Sequence, residues 1–296
     1  MSKLVKQYLK SYKSRIFTPP RVIRDKSGNS VLTISPAKGG MILNWCVDNK
    51  EVFYLDRSTV KRFGKPVRGG IPILFPICGG LPKGTYQHHS KPYKLGHHGF
   101  ARNWPWTVYN DLCVDQGKLT LSLSSNQQTL KEFPFKFQLL FTYHLRGHTL
   151  TIEQKVLNFS MESMPFSLGL HPYFYTPDKS QLKIDIPAQS YHSQNDGKEY
   201  LWDGTFDYNK DEIKAYFKDL DRPSFRVLDP SRGLSVECSF QEPYAGLFFW
   251  TTKGKEFYCV EPWSSGFNSM NTGDRISYVK PRSCLSTSID ICVSTL

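Results

Sequence analysis

The feature that most constrains the fold is a period-two alternation of apolar and polar residues, which recurs in short runs along the chain. Lys118–Ser124 reads KLTLSLS, so its three leucines point to one side of an extended strand and its polar residues to the other. Residues 137–145 and 149–157 are two longer β-rich runs joined by an Arg-Gly-His connection, which predicts a hairpin. These runs predict antiparallel β structure.

Further short β-rich runs lie between turn residues over most of the chain, at residues 31–35, 41–47, 52–55, 182–186, 225–228, 234–239, 246–251, 257–260 and 288–293. Helical patterns are scarce, and the best candidates are the first turns of the chain, residues 127–132 and residues 211–218. Many short strands with few helices predict an all-β fold, a large antiparallel β-sandwich. A chain of 296 residues suits one such domain.

The first 24 residues form a basic segment that we expect to precede a single domain over residues 25–296. They contain seven basic residues and no acidic one. The segment lacks the continuous apolar stretch of a signal peptide, and we favour a solvated leader over an organelle transit peptide. No stretch of the chain approaches the roughly 18 apolar residues of a membrane span, so no membrane partner is expected.

Cysteine usage indicates a reducing compartment. The seven cysteines form an odd set without a CxxC pair, whereas secreted disulfide frameworks usually have an even, tightly spaced set. We therefore expect free, mostly structural thiols in a cytoplasmic protein.

The formal net charge of +12 raises the question of a nucleic-acid partner. Lysine and arginine are spread along the chain, however, and no zinc finger or RNA-binding aromatic motif accompanies them. A positive field would serve equally well to draw in an anionic small molecule. Charge alone does not decide between the two partners.

Residues 65–106 depart from the strand rhythm, because they are dense in glycine, proline, histidine, arginine and aromatic residues. Loops of this kind on a β scaffold often carry function, so we expect much of the binding site here. Three groups of motifs stand out by residue type: RGGIP at Arg68 with HGFAR at 98–102, GLHPYF around His171, and VEPW around Glu261. Each also has a structural interpretation, such as a hydrogen-bonded histidine, a capping carboxylate or an arginine paired with a surface acid.

A metal site is not expected from the four histidines that fall within residues 88–98. Adjacent histidines point to opposite faces of an extended strand, so the two HH pairs have poor ligand geometry unless the loop folds back. The CxxC and HExxH spacings typical of zinc sites are absent, as are a Walker loop, a GxSxG elbow and a GxGxxG after a strand. Cys78 has no histidine at a spacing that supports a nucleophile, and a buried thiol is the commoner role of cysteine.

Four motifs follow one another along the chain in the order typical of one enzyme family: RGGIPILFP, HGFARNWPW, GLHPYF and VEPW. In them the chain resembles the aldose 1-epimerase, or galactose-mutarotase-like, family, and above all its hexose-6-phosphate mutarotase branch. The motifs extend from Arg68 to Trp263, so the resemblance covers most of the chain. It implies a large antiparallel β-sandwich, which agrees with the strand pattern, and a sugar mutarotase that needs no cofactor and no metal.

The resemblance implies an acid–base pair that opens and recloses the sugar ring. His171 would be the general acid, Glu261 the general base, and His98 would bind the sugar near its ring oxygen. The base takes the proton of the C1 hydroxyl while the acid protonates the ring oxygen. Rotation about C1–C2 and reclosure then give the other anomer. We expect the acid and the base on opposite sides of the ring-oxygen–C1 unit.

The substrate class depends on two arginines. Arg68 and Arg102 match positions that bind phosphate in the hexose-phosphate branch, and a guanidinium binds phosphate through two parallel hydrogen bonds. Asp203, in Leu-Trp-Asp-Gly, is the nearest match to an aspartate that holds sugar hydroxyls in the family. The histidine- and lysine-bearing loop at 83–97 departs from the family pattern and would reshape the phosphate end of the pocket.

Two alternatives stand beside a hexose 6-phosphate mutarotase. One is an aldose 1-epimerase for unphosphorylated glucose or galactose. The other is a non-catalytic carbohydrate-binding protein on the same scaffold, because fold similarity does not establish activity. In all three the partner is a small-molecule sugar or sugar phosphate, with no nucleic acid and no membrane, and we expect a monomer or a weak homodimer.

Overall fold

The computed structural model describes residues 18–60, 66–110 and 117–296. Over these ranges α-helix is confined to three single turns, α1 (Arg57–Val60), α2 (Thr129–Glu132) and α3 (Ser269–Thr272). The described strands, in chain order, are β1 (Arg21–Arg24), β2 (Ser30–Ser35), β3 (Met41–Val47), β4 (Lys50–Glu51), β5 (Ile73–Leu74), β6 (Thr85–His88), β7 (Lys91–Lys94), β8 (Thr107–Asn110), β9 (Lys118–Ser124), β10 (Phe137–Arg146), β11 (Thr149–Asn158), β12 (Met164–Phe166), β13 (Gly169–Leu170), β14 (Tyr173–Tyr175), β15 (Lys183–Asp185), β16 (Ser190–Ser193), β17 (Glu199–Leu201), β18 (Glu212–Phe217), β19 (Ser224–Asp229), β20 (Leu234–Phe240), β21 (Gly246–Thr252), β22 (Phe257–Trp263), β23 (Ser277–Val279) and β24 (Cys284–Thr295).

Two eight-stranded antiparallel sheets make up most of this structure. The first sheet has the strand order β15-β19-β20-β24-β11-β10-β9-β8. The second has the order β17-β16-β18-β21-β22-β13-β5, and β14 also pairs with β22. A four-stranded sheet, β1-β2-β3-β4, and the strand pairs β12-β23 and β6-β7 accompany them.

The predicted hairpin is confirmed as β10 and β11, which pair in register from Phe137 opposite Asn158 to Arg146 opposite Thr149. Burial along β10 alternates residue by residue, because successive side chains point to opposite faces of a strand. Its buried residues join one continuous apolar core with side chains from the second sheet and the four-stranded sheet, such as Phe249 and Trp45. The all-β antiparallel sandwich is therefore confirmed.

Strand β22 positions the functional site, because each of its faces meets a different environment. Tyr258 and Val260 point into the main core. Cys259 and Trp263, one residue out of phase with them, belong to small apolar clusters on the other face of the sheet. Glu261 lies between those two and shares their face, as the period of two requires. All seven residues of the strand are buried.

Three predicted features differ from the structure. Residues 211–218, a predicted helix, contain strand β18, because pairing with β16 and β21 outweighs a weak local helical preference. Residues 52–55 make only isolated bridges, Phe53 to Phe174 and Leu55 to Gly69, rather than a strand. Arg21–Arg24, assigned to the leading segment, form β1 and pair with β2, so the folded unit begins before residue 25. Residues 1–17 of that segment, with its candidate helical turns, lie outside the described residues.

Two further expectations concern thiols and membrane spans. The six cysteines within the described ranges are all free, as predicted from their spacing. No helix in that part of the chain combines the length and the apolar character needed to cross a membrane.

Candidate functional site

A cavity of about 700 Å³ opens on the face of the second sheet that points away from the main core. Its volume falls in the range of small-molecule sites. Five of the six predicted site residues line it, namely Arg68, His98, Arg102, His171 and Glu261. They come from three separate loops and one strand, so the fold assembles in space what the sequence spreads over 194 positions, from 68 to 261.

Glu261 is held by its strand and by a neighbouring indole. It lies opposite Phe248 in the pairing of β22 with β21. The indole nitrogen of Trp263 donates a hydrogen bond of 3.1 Å to Oε2, while Oε1 is buried without a hydrogen-bond partner. The Trp263 ring is itself stacked on Phe248, with 4.7 Å between ring centroids. The carboxylate is thus fixed through one oxygen, while the other oxygen receives no hydrogen bond.

His171 lies directly after β13 and beside Glu261. Its backbone nitrogen donates to the carbonyl of Pro72 at 3.0 Å, and its ring stacks on Tyr173 with a centroid separation of 4.6 Å. Nε2 is 3.3 Å from Oε1 of Glu261, whereas Nδ1 is buried without a partner. The predicted acid and base are therefore direct neighbours.

This contact corrects one expectation, namely that His171 and Glu261 lie on opposite sides of the sugar's ring-oxygen–C1 unit. A separation of 3.3 Å leaves no room for a sugar ring between them. A sugar has to meet both groups from the cavity, with its two reacting oxygens side by side. Those oxygens share the carbon C1, so adjacent groups can serve both.

Burial sets the protonation of the pair. It raises the pKa of Glu261 well above its ordinary value, because a carboxylate loses its hydration there. Burial, followed by the positive charge of Arg102, lowers the pKa of His171 well below its ordinary value. Both shifts favour the uncharged form of their group, so burial favours the state of the pair with its proton on Glu261 and with His171 neutral.

His98 has a backbone conformation that few residues other than glycine adopt. Its φ is 63°, in the left-handed region, and the next residue, Gly99, has φ of 66°. The backbone N–H of Gly79 donates to Nδ1 of His98 at 3.0 Å, so the neutral ring carries its proton on Nε2. Burial lowers the pKa of His98 well below its ordinary value, which keeps the ring neutral. Its ring centroid is 5.6 Å from that of His171.

Two arginines, Arg102 and Arg68, line the cavity. Arg102 donates from its guanidinium to the carbonyl of His97 at 2.9 Å, while its Nε is buried without a partner. Burial lowers the pKa of Arg102 from its ordinary value. Arg68 is exposed, and within the described ranges no carboxylate forms an ion pair with it. Both arginines can therefore offer donors to an anion.

Asp203 is the one predicted residue that the structure does not bring to this cavity. It lies on an exposed loop and lines a neighbouring depression. Its Oδ1 accepts from the backbone nitrogen of Thr205 at 3.0 Å and from the Thr205 hydroxyl at 2.9 Å. The carboxylate thus stabilises its own turn, as aspartates in such turns commonly do.

Glu212 and Lys214 line the cavity instead, and sequence reasoning missed both. Their Oε2 and Nζ form an ion pair of 2.6 Å, and Oε1 of Glu212 accepts from the indole nitrogen of Trp250 at 2.7 Å. The missed signal is the alternation of these polar residues with Ile213 and Ala215, which places the two kinds on opposite faces of β18.

Two groups of side chains in the described part of the chain have a composition that suits a metal ion. One is His98, His171 and Glu261, but Nδ1 of His98 already accepts from Gly79. The other is His88, His89 and Glu162, which is not part of the cavity lining.

The chain is similar to one known protein family and to several known proteins. The family model for aldose 1-epimerase matches residues 21–279. Protein LacX of Lactococcus lactis subsp. lactis is 26% identical over 259 residues, which cover 76% of this chain and 85% of that protein. A Salmonella typhimurium protein with the name "Putative glucose-6-phosphate 1-epimerase" is 32% identical over 187 residues, which cover 60% of this chain and 57% of that protein.

Solved structures share the fold over nearly the whole chain. The Slr1438 protein from Synechocystis sp. PCC 6803 is 40% identical with a TM-score of 0.91, and the match covers 95% of this chain and 98% of that one. A galactose mutarotase related enzyme from Lactobacillus acidophilus is 20% identical with a TM-score of 0.78, covering 93% and 97% of the two chains. At that identity the second match supports the fold alone.

Proposed function

Because the chain belongs to the aldose 1-epimerase family, we propose that it is an isomerase that interconverts the α and β anomers of a hexose carrying a phosphate group. The observation that carries this proposal is the buried pair of His171 and Glu261, whose facing atoms lie 3.3 Å apart in the cavity wall. Oε1 of Glu261 and Nδ1 of His171 have no hydrogen-bond partner, which favours a ligand that supplies one.

Ring opening needs two coordinated proton transfers. In the state of the pair with its single proton on His171, Glu261 accepts the proton of the C1 hydroxyl through Oε1, while His171 donates its proton to the ring oxygen. The bond between C1 and the ring oxygen breaks as the C1 carbonyl forms. Rotation about C1–C2 presents the other carbonyl face, and reversal of both transfers closes the ring as the other anomer. Each positioned acid or base typically contributes about 10²–10⁴-fold to a rate.

Neighbouring groups keep the pair productive. The N–H of Trp263 occupies Oε2 of Glu261 and leaves Oε1 for the substrate. The proton on Nε2 of the neutral His98 ring supplies a hydrogen bond to a sugar oxygen. Glu212, which lines the cavity where Asp203 does not, is our candidate for holding sugar hydroxyls.

The phosphate preference rests on the two arginines. Arg68 has no ion-pair partner among the described carboxylates, and Arg102 keeps its Nε unpartnered. Nζ of Lys214 lies 2.6 Å from Oε2 of Glu212, whose negative charge offsets that of the lysine. Lys214 therefore adds less than the two arginines to the positive potential in the cavity. Two available guanidinium groups at one cavity favour an anionic substrate. The free thiols of the described cysteines agree with a reducing compartment such as the cytoplasm.

Anomer exchange measured by NMR magnetisation transfer tests the proposed reaction. We expect faster exchange of glucose 6-phosphate with the wild type, and loss of the acceleration in Glu261→Gln and His171→Asn. His192→Asn is the matched control, because His192 pairs with Glu199 at 3.0 Å outside the cavity. Ligand binding without acceleration of any sugar would instead support the non-catalytic binding protein.

The same assay on glucose tests the role of phosphate. Arg68→Ala should lower the kcat/KM for glucose 6-phosphate at least about tenfold, since a charge-assisted hydrogen bond contributes about 1.5–3 kcal/mol. The value for glucose should hardly change. Arg57→Ala is the control, because Arg57 is an exposed arginine that pairs with Glu51. Equal losses for both sugars would favour an enzyme for unphosphorylated hexoses.

A further inference from the structure

A second cluster of ligating side chains lies where the β6–β7 hairpin meets the loop between β11 and β12. Nε2 of His89 is 2.8 Å, and Nε2 of His88 is 3.3 Å, from one oxygen of Glu162, Oε2. The three ligating atoms all lie within 4.8 Å of one another. We propose that His88, His89 and Glu162 bind a divalent transition-metal ion of the Zn²⁺ type, at a site separate from the sugar cavity.

The hairpin turn is what brings two consecutive histidines to one point. His88 is the last residue of β6 and pairs with Lys91 of β7. His89 and Ser90 form the turn, with φ of 48° and 61°, both in the left-handed region. Consecutive side chains on an extended strand point apart, but the backbone reverses directly after His88. The objection that an HH pair has poor ligand geometry therefore does not apply here.

Two of the three residues, His88 and Glu162, are held by their surroundings. The ring of His88 packs on Phe135, with 4.9 Å between centroids, and its side chain is only 19% exposed. The carbonyl of Glu162 accepts a hydrogen bond of 2.8 Å from the side-chain amide of the buried Asn158. That amide also donates to the carbonyl of Val279, which fixes the loop to the body of the protein. Such support from outside the ligands is typical of metal sites.

The distances between the ligating atoms and the missing hydrogen bond of His88 both suit a bound cation. Bonds of about 2.0–2.1 Å to nitrogen and oxygen place tetrahedral ligands about 3.3 Å apart. The two histidine nitrogens lie 3.3 Å and 2.8 Å from Oε2 of Glu162. Two imidazoles compete for one carboxylate oxygen, and Nε2 of His88 is left buried without a hydrogen-bond partner. A central ion would satisfy both imidazoles and Glu162 together. The nearby ammonium of Lys91 lies over the ring of Tyr93, 5.3 Å from its centroid.

Two histidines and one glutamate leave a fourth position, which water fills in sites with three protein ligands. The hairpin leads through residues 95–96 directly into His97 and His98 of the cavity. The ion would therefore brace the element that precedes the sugar-binding loop.

Calorimetric titration of Zn²⁺ into the full chain, freed of metal with EDTA, tests the site. We expect one saturable equivalent, and at least about tenfold weaker affinity in His89→Ala and in Glu162→Gln. Both side chains are partly exposed, at 77% and 42%, so neither change should disturb folding. His192→Ala is the control and should bind as the wild type does, because its partner Glu199 makes a pair with a single histidine. No saturable binding, or unchanged affinity in both variants, would overturn the proposal.

A second titration separates this site from the cluster in the sugar cavity. The His171→Asn variant should bind Zn²⁺ as tightly as the wild type, and Co²⁺ should give the same visible absorption spectrum in both. Loss of binding in His171→Asn, with binding kept in His89→Ala, would place the ion in the cavity and refute the hairpin site. Anomer exchange plays no part in either readout, so the proposed reaction can fail while this site stands.

Discussion

Glu261 sits where its own charge is costly, and its proposed role depends on that. The residue is 1% exposed, in a strand whose seven residues are all buried. A carboxylate in water would be too weak a base for a hydroxyl proton, whereas burial raises the pKa and strengthens the base. One hydrogen bond from Trp263 offsets part of the cost and orients the group. The same burial lowers the pKa of His171 and makes it the readier donor.

The pH profile of catalysis follows from the single proton on this pair. With two protons Glu261 cannot accept, and with none His171 cannot donate. We expect kcat/KM to rise as the pair loses its first proton, at a pKa lowered by burial, and to fall as it loses the last, at a pKa raised by burial. The measurement is enzyme-dependent anomer exchange across pH, with the buffer-catalysed rate subtracted. A kcat/KM that only rises or only falls with pH would contradict a mechanism in which the active pair holds a single proton.

The substitution Glu261→Gln should raise the stability of the folded protein although it removes the activity. A folded-state pKa raised above the unfolded value means that stability is lost as pH rises from about 4.3 towards the folded pKa. Glu261→Gln carries no charge and can still accept the Trp263 hydrogen bond. We expect it to raise the free energy of unfolding by about 0.5–2 kcal/mol at neutral pH, with the gain fading in acid. Urea unfolding at two pH values measures this change. A loss of stability in Glu261→Gln at neutral pH would contradict the claim that the buried, ionisable Glu261 destabilises the folded state.

Strand β18 shows how one element serves both the core and the site. Ile213 points into the main core, while Lys214, its direct neighbour, lines the cavity. We expect Ile213→Ala to cost about 2–4 kcal/mol of unfolding free energy and to leave KM unchanged. Lys214→Met should instead raise KM for glucose 6-phosphate a few fold with little change in stability. Urea unfolding and anomer-exchange kinetics on both variants test these two expectations. Similar effects of the two substitutions on stability and KM would contradict the placement of Ile213 and Lys214 on opposite faces of β18.

Elements differ in how far the sequence predicts them. Long alternating runs such as β9 and β10 are predicted well, because their period of two repeats over seven and ten residues. The six residues of β18 are too few to separate strand from helix, and its pairing partners decide the outcome. For the site, motifs identify His171 and Glu261, but a loop residue such as Asp203 depends on which loop reaches the cavity. That is a property of tertiary packing, which no local pattern contains.

For the whole molecule, a net charge of +12 bears on association with charged partners rather than on the fold. If the substrate carries a phosphate, the positive field should draw it towards the cavity at low ionic strength. Salt shortens the reach of that field to about 10 Å at 0.1 M and about 3 Å at 1 M. We therefore expect kcat/KM for glucose 6-phosphate to fall several fold between roughly 0.01 M and 0.5 M salt, and the value for glucose to stay nearly constant. Exchange kinetics at several salt concentrations with both sugars make the comparison, and the neutral sugar controls for effects of salt on the protein itself. Parallel salt dependences would mean that the charge of the chain does not serve this substrate.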